Sequence, residues 1–205
     1  TNTANGTKNV AIGMQSLFRI TSGYDNSVLG YQAGLNINTG HDNTLMGYGA
    51  GDGVTTGNNN CVLGADALSA VAGGSHNVAI GRAAMGSTGG NVTGCVAVGL
   101  DTLEGTTGNY NTGVGYRAGN ALTSGAKNTI IGAYTGNMGG LDIRSSSNNI
   151  ILSDGDGNIR LYTDTSGSTL LGYTSKSASE TFGSRGDRVQ ISLASSNYGK
   201  YETVF

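Results

Sequence analysis

Asn43-Thr-Leu-Met-Gly47 is followed, 17 residues further on, by Asn60-Cys-Val-Leu-Gly64, and this spacing organises most of the chain. Pentads of the same pattern, aligned on their glycine, occur eight times between residues 9 and 132. Successive glycines are separated by 17, 17, 17, 17, 18, 16 and 17 residues. A fixed period of this length is the signature of a repeat protein, in which each short unit packs against its neighbours.

Two neighbouring columns of the pentad are apolar, which indicates a strand covered on both faces. Because a coil of about 17 residues has one interior, we expect one column to fill the core and the other to meet a second chain. The predicted core is the column before the glycine: Ile12, Leu29, Met46, Leu63, Ile80, Val98, Val114 and Ile131. The predicted oligomer interface is the column before that one, represented by Val28, Leu45, Val62 and Ile130.

These columns predict an all-β fold, a parallel β-solenoid of about 17-residue coils that forms an oligomeric rod. We divide the chain into solenoid repeats (1–137), degenerate repeats or a transition (138–172) and a C-terminal cap or interaction element (173–205). Residues 149–153 and 168–172 are interpreted as decayed copies of the pentad, and residues 154–158 as a turn before an alternating strand. The repeated Asn is expected to form either a side-chain ladder along the rod or a simple turn.

The composition of the chain argues against two classes of function, nucleic-acid binding and membrane insertion. The chain has 205 residues, 37 of them Gly, no Pro, 12% charged residues and a net charge of -2. No cluster of Lys or Arg provides a footprint for nucleic acid, and no apolar run is long enough to insert into a membrane. The sequence starts at Thr1 without a signal peptide, so we expect a fragment or a processed product.

Candidate binding residues are few. Four tyrosines directly follow a repeat glycine, where a ladder of aromatic rings either binds sugar rings or covers a corner of the coil: Tyr31, Tyr48, Tyr116 and Tyr173. Three oxygen-bearing residues have the alternate spacing of a calcium loop, Asp154, Asp156 and Asn158, but position 165 is Thr where such a loop needs Glu. We therefore favour a plain turn there and predict no metal site.

The remaining motifs are interpreted as structural. Cys61 and Cys95 lie two coils apart, roughly 9.6 Å along the stack, which is too far for a disulfide, so both are expected to be free and buried. The tripeptide Arg185-Gly-Asp187 is expected to be an exposed loop. His41 and His76 have no nucleophile pattern near them, so no catalytic residue and no cofactor are predicted.

The Asn-[Ser/Thr/Val]-x-[Ile/Leu]-Gly-Tyr-x-Ala units resemble the head repeats of trimeric autotransporter adhesins of the YadA type. The resemblance covers roughly residues 5–172 and implies a left-handed parallel β-roll assembled as a homotrimer. Similar runs occur in bacteriophage tail fibres, and residues 148–161 resemble the segment that often follows them there. The period is longer than the roughly 14 to 16 residues of the adhesin repeat. No coiled-coil stalk or membrane anchor follows, which favours the tail-fibre interpretation.

The expected function is therefore that of a structural and receptor-binding segment of a trimeric phage tail fibre. It would attach to a glycan or protein of the bacterial surface and be located in the virion, or otherwise outside the cell or at its surface. Three alternatives stay open: a bacterial trimeric autotransporter adhesin head, a self-assembling structural filament subunit, and a fibre-borne glycan depolymerase. Fold alone does not choose among them.

Overall fold

The computed structural model describes residues 6–87 and 89–171 and is all-β over them. It contains β1 (Val10–Ile12), β2 (Ser27–Leu29), β3 (Thr44–Met46), β4 (Cys61–Leu63), β5 (Val78–Ile80), β6 (Val96–Val98), β7 (Thr112–Val114), β8 (Thr129–Ile131), β9 (Asn137–Met138), β10 (Leu141–Asp142), β11 (Ile150–Ser153), β12 (Ile159–Thr163) and β13 (Thr169–Leu171). None of these described residues belongs to a helix that could span a membrane.

The pentads form a parallel β-solenoid, as their period predicts. Strands β1 to β8 pair in sequence order, each parallel to the next, and β11 continues the ladder after β8. Pairing is in register with the repeat, so that Val28 lies beside Leu45 and Leu45 beside Val62. The 18- and 16-residue intervals do not disturb this register, because Ala79 pairs with Ala97 and Ala97 with Gly113.

A ladder of Asn side chains runs along the stack and resolves the alternative left open by the sequence. The Oδ1 atom of Asn43 accepts hydrogen bonds from the backbone N–H and the Nδ2 of Asn60, at 3.1 and 2.9 Å. The Asn60 Nδ2 also donates to the carbonyl oxygen of Gly74 at 3.0 Å. Comparable bonds link Asn9 to Asn26 and Asn128 to Asn149. Buried amides are thereby satisfied from coil to coil.

The repeat glycine occupies a corner that no other residue fits. All eight have φ between 111° and 146°, a region that side chains disfavour. An added Cβ at Gly47 would also collide with the carbonyl oxygen of Gly64 in the next coil. In each of the first seven coils three further residues have left-handed backbone. One directly precedes the Asn column, as at Asp25 and Asp42 with φ of 53° and 57°, and the other two are the second and fourth residues after the repeat glycine. The sequence pattern does not reveal those corners, since that column holds residues of many types.

The structure reverses the two predicted faces, so the assignment of core and interface was wrong. Val28, Leu45, Val62 and Ile130, predicted at an oligomer interface, lie inside the coil and are at most 2% exposed. The predicted core column faces outward; Ile80 and Val98 are half-buried in the single chain and the other six are exposed: Ile12, Leu29, Met46, Leu63, Val114 and Ile131. The Asn ladder is the physical reason. Residues two apart share a face of a strand, and the buried Asn lies two residues before the middle of the strand.

Two interior positions fill the core with different residues in different coils. Leu45 is large, and its side chain occupies the space next to Gly51, four residues after the repeat glycine. Where the strand instead has Ala79, the position equivalent to Gly51 is Met85, which is fully buried. The same interior space is therefore filled from the strand in one coil and from the following turn in another.

The repeat changes after β8. The next coil is lengthened by the small antiparallel hairpin of β9 and β10, whose Leu141 carbonyl accepts a hydrogen bond from the buried Tyr134 hydroxyl at 2.8 Å. The copy at residues 149–153 is a true coil, because Ile151 pairs with Ile130. The copy proposed at residues 168–172 was wrong, since β13 pairs antiparallel with β12, which pairs antiparallel with β11. The predicted cap, 173–205, lies outside the described residues.

Candidate interaction surfaces

The outer face of the sheet has a continuous apolar column beside a column of small or β-branched residues, and the two columns together are called here the outer strip. It consists of the first and third positions of β1 to β8 and β11, whose side chains point away from the coil interior. The third position is apolar in every one of these strands and includes Leu152 of β11. The contrast within one strand is large: Leu63 is 47% exposed whereas its neighbour Val62 is 1% exposed.

The outer strip is large for one small chain. Nine parallel strands at about 4.8 Å spacing give a length of roughly 40 Å, and two side-chain columns give a width of about 10 Å. The resulting area is on the order of 400 Å², and the third-position column makes about half of it apolar without interruption. An uninterrupted apolar surface of this kind often marks an interaction site. First-position residues are small or β-branched, as at Thr44 and Val78, so the strip is flat.

The predicted Tyr column lies beside the outer strip. Tyr31 and Tyr48 stack with ring centroids 5.3 Å apart and an interplanar angle of 14°. Tyr116 is exposed but lies four coils from Tyr48, so the structure does not bring it to that pair. Tyr173 lies outside the described residues. A second stack, Tyr24 on His41, has centroids 4.6 Å apart and was not predicted. The 17-residue spacing of the two rings is the signal that indicates it.

The three candidate calcium ligands form a turn that satisfies its own polar atoms. The Asp154 carboxylate accepts hydrogen bonds from the backbone N–H groups of Asp156 and Asn158 and from the Arg160 guanidinium. Desolvation of Asp154 opposes ionisation, but the hydrogen bonds from Asn158, Arg160 and the backbone outweigh it and lower its pKa to about 2. Asn158 points its Nδ2 donor at Asp154, which does not suit a shared cation. No group of metal-ligating side chains occurs within residues 6–87 and 89–171.

The two cysteines are free but differ in exposure. Cys95 is buried in the Asn column, where its Sγ accepts the backbone N–H of Asn111 at 3.4 Å. Burial raises the pKa of the Cys95 thiol. Cys61 is exposed on the outer strip, so the expectation that both are buried was wrong for it. The cause is again the reversal of the two faces, because Cys61 occupies the first position of β4.

Two buried polar atoms have no hydrogen-bond partner within the described part of the chain, the Oγ of Ser16 and the Oδ1 of Asp52. Ser16 occupies a column that elsewhere holds buried Ala, as at Ala33. The pKa of Asp52 is raised by burial, lowered in part by the Gly53 N–H, and raised again by the negative charge of Asp66. Both residues weaken the coil rather than build a site, because each buries a polar group without full compensation.

Comparison with known proteins gives no match among family models, curated proteins or solved structures. The described residues form a parallel stack with an exposed outer strip and a column of aromatic and polar residues beside that strip.

Proposed function

We propose that this chain is a segment of a homotrimeric phage tail fibre that attaches the particle to the bacterial surface. The observation that supports the proposal best is the outer strip, which stays exposed in a single chain although all nine strands carry apolar residues there. A second copy of the chain is the partner that matches the outer strip along its whole length, since both have the same period.

The geometry of the outer strip favours assembly side by side. Each chain offers a flat band of roughly 40 by 10 Å, parallel to the stacking direction. Three bands arranged about a common axis enclose a continuous apolar core. The resemblance to trimeric adhesin heads and tail fibres is the reason for preferring three copies to two. Burial of the outer strip also protects apolar sheet surface from non-specific association.

Attachment follows from the same architecture. Rigid coils hold their connecting segments in fixed positions, and recognition residues are commonly placed on such segments. In a trimer each binding site is present three times, so weak individual contacts to a surface glycan or protein are multiplied by effective concentration. The described residues hold no group of metal ligands, and the proposal needs no chemistry beyond binding.

Two adjacent residues of β4 provide a matched test of assembly. Leu63→Lys places a charge on the outer strip and is expected to leave the coil folded while converting a trimer into monomers of 20.6 kDa. Val62→Lys places the same charge in the interior and is expected to unfold the coil. Sedimentation equilibrium measures the mass, and far-UV circular dichroism measures the fold. A wild-type monomer, or a Leu63→Lys protein that stays trimeric, would contradict the assembly proposal.

The attachment role is tested separately on the assembled protein. Fluorescently labelled wild-type protein should bind a glycan array or intact bacteria, and the monomeric Leu63→Lys protein should bind with much lower apparent affinity, because it loses multivalency. Incubation with host polysaccharide should leave the length of the polymer unchanged. Shortening of the polymer would support the depolymerase alternative instead.

A further inference from the structure

The column of side chains that directly follows the repeat glycine has a gap, because the short Ala65 lies between the long side chains of Tyr48 and Arg82. Its successive members are Met14, Tyr31, Tyr48, Ala65, Arg82, Leu100, Tyr116 and Ala133. Coil-to-coil hydrogen bonds keep this column in register: the Asp66 N–H donates to the Tyr48 carbonyl at 2.8 Å, and the Ala83 N–H donates to the Ala65 carbonyl at 2.9 Å. Ala65 is thus one coil from Tyr48 and one coil from Arg82.

The orientation of the Tyr48 ring turns the space above Ala65 into a slot with one aromatic wall. Tyr31 and Tyr48 overlap face to face at a spacing close to one coil, so their faces are directed along the rod. Tyr31 covers one face of the Tyr48 ring. The other face is directed towards the coil of Ala65, whose methyl group is too short to cover it. Tyr48 and Arg82 are separated by two coils, roughly 9.6 Å, which admits one ring between them.

The polar groups around the slot suit a neutral sugar. The Arg82 guanidinium lies 3.7 Å from the carboxylate of Asp101, a loose and exposed pair that contributes little stability and keeps N–H donors available. The Asp66 carboxylate lies close to Gly49, next to Tyr48, and is the nearby acceptor. Asp66 and Asp101 together carry more negative charge than Arg82 carries positive charge, which disfavours an anionic ligand. One aromatic face, donors and acceptors together match the C–H face and the hydroxyl groups of a pyranose.

We infer that the slot bounded by Tyr48, Ala65 and Arg82 binds a neutral pyranose ring, stacked on the free face of Tyr48. The choice of a sugar rests on the proposed attachment function, whereas the slot itself rests on the stacking geometry. The ring is held by contact of its C–H groups with the negative face of the aromatic ring. The Arg82 guanidinium donates hydrogen bonds to the hydroxyl oxygens of the sugar, and the sugar hydroxyl groups donate to the Asp66 carboxylate, which lies close to Gly49. In the assembled protein the slot occurs once per chain.

Ala follows Tyr in this column at a second place, where no open slot is left, and that place supplies a control. Ala133, next to Tyr116, is buried, and the turn at Gly157 approaches its carbonyl oxygen. That position is covered by the chain itself. Substitution of Tyr116 therefore removes an exposed tyrosine from the same column without touching an open slot.

The test uses saturation-transfer NMR of the wild-type protein with the methyl glycosides of glucose, galactose, mannose and N-acetylglucosamine. We expect transfer to the axial C–H protons of at least one glycoside. Tyr48→Ala removes the stacking face and Ala65→Tyr fills the slot, and each should weaken binding by roughly tenfold or more. Tyr116→Ala should bind as the wild type does. Ala65→Tyr should keep the fold, because the column already accepts Tyr.

The inference is overturned if none of the four glycosides shows transfer, or if transfer is undiminished in Ala65→Tyr. It is also overturned if the slot binds phenol, measured in parallel as a probe of plain aromatic stacking, but none of the sugars. Sedimentation of each variant separates this inference from the proposed assembly. If Tyr48→Ala changes the mass, the tyrosine belongs to a chain contact and the slot is refuted. If the mass is unchanged and sugar binding is absent, the slot fails while the assembly proposal stands.

Discussion

Replacement of Asn60 by Ala is the most direct test of what stabilises the stack. The Asn60 side chain takes part in four hydrogen bonds, at 2.9 Å to Asn43 Oδ1, 3.0 Å to the Gly74 carbonyl, and 3.1 Å from both the backbone N–H and the Nδ2 of Asn77. All lie in the buried interior, where no water replaces a lost partner. Truncation thus leaves two donors and two acceptors under-satisfied in adjoining coils.

The magnitude follows from these bonds. Four hydrogen bonds at about 0.5 to 1.5 kcal/mol each give a loss of roughly 2 to 6 kcal/mol, and the orphaned Asn77 N–H puts the value near the middle, about 4 kcal/mol. Such a loss is a large share of the stability of about 5 to 15 kcal/mol that is typical of a domain. Asn60→Cys should lose less, because Cys95 shows that a thiol in this column accepts the next backbone N–H.

Urea unfolding followed by circular dichroism measures the loss, at one protein concentration because association contributes to apparent stability. The backbone amide of Asn77, next to the truncation, should show a larger increase in hydrogen-exchange rate than amides elsewhere in the chain. Asn137→Ala, at an exposed position outside the ladder, is the matched control and should change stability by less than about 0.5 kcal/mol. The ladder argument fails if Asn60→Ala is as mild as this control, or if the loss is the same for Asn60→Ala and Asn60→Cys.

Three further changes test other details. Ser16→Ala removes a buried hydroxyl that lacks a partner among the described residues and should stabilise the fold by about 1 kcal/mol, measured by urea unfolding; a loss of stability would contradict the unsatisfied state. Because burial raises the Asp52 pKa above 3.8, its carboxylate destabilises the fold at neutral pH and stability returns as the pH falls through the raised value. Asp52→Asn should therefore raise the melting temperature at pH 7 more than at pH 4, and an equal gain would refute this. Maleimide should label Cys95 slowly in both the wild type and Leu63→Lys. It should label Cys61 slowly in the assembled wild type but rapidly in Leu63→Lys, and equal rates at Cys61 would argue against burial of the outer strip.

The period predicted most of the fold, because a strand and its corners recur wherever the Asn and Gly recur. The in-register pairing of β2 with β3 and of β3 with β4 was readable from the 17-residue spacing alone. The copy at residues 168–172 was misassigned because its apolar pattern suits an antiparallel hairpin equally well. The left-handed corners escaped the sequence because Lys8, Asp42 and Tyr110 share a backbone conformation but no side-chain chemistry.

Which face of the strand is interior was decided by a polar residue. A buried amide is costly unless it is hydrogen-bonded, and a single Asn at the head of a strand therefore suggests a surface turn. Repetition changes that balance, because each Asn supplies the donors and acceptors that the next one needs. Asn60 can then lie inside, and alternation forces Val62 inside and Leu63 outside. A second chain is still expected to cover the outer face, because the third-position column there is apolar in every strand of the ladder.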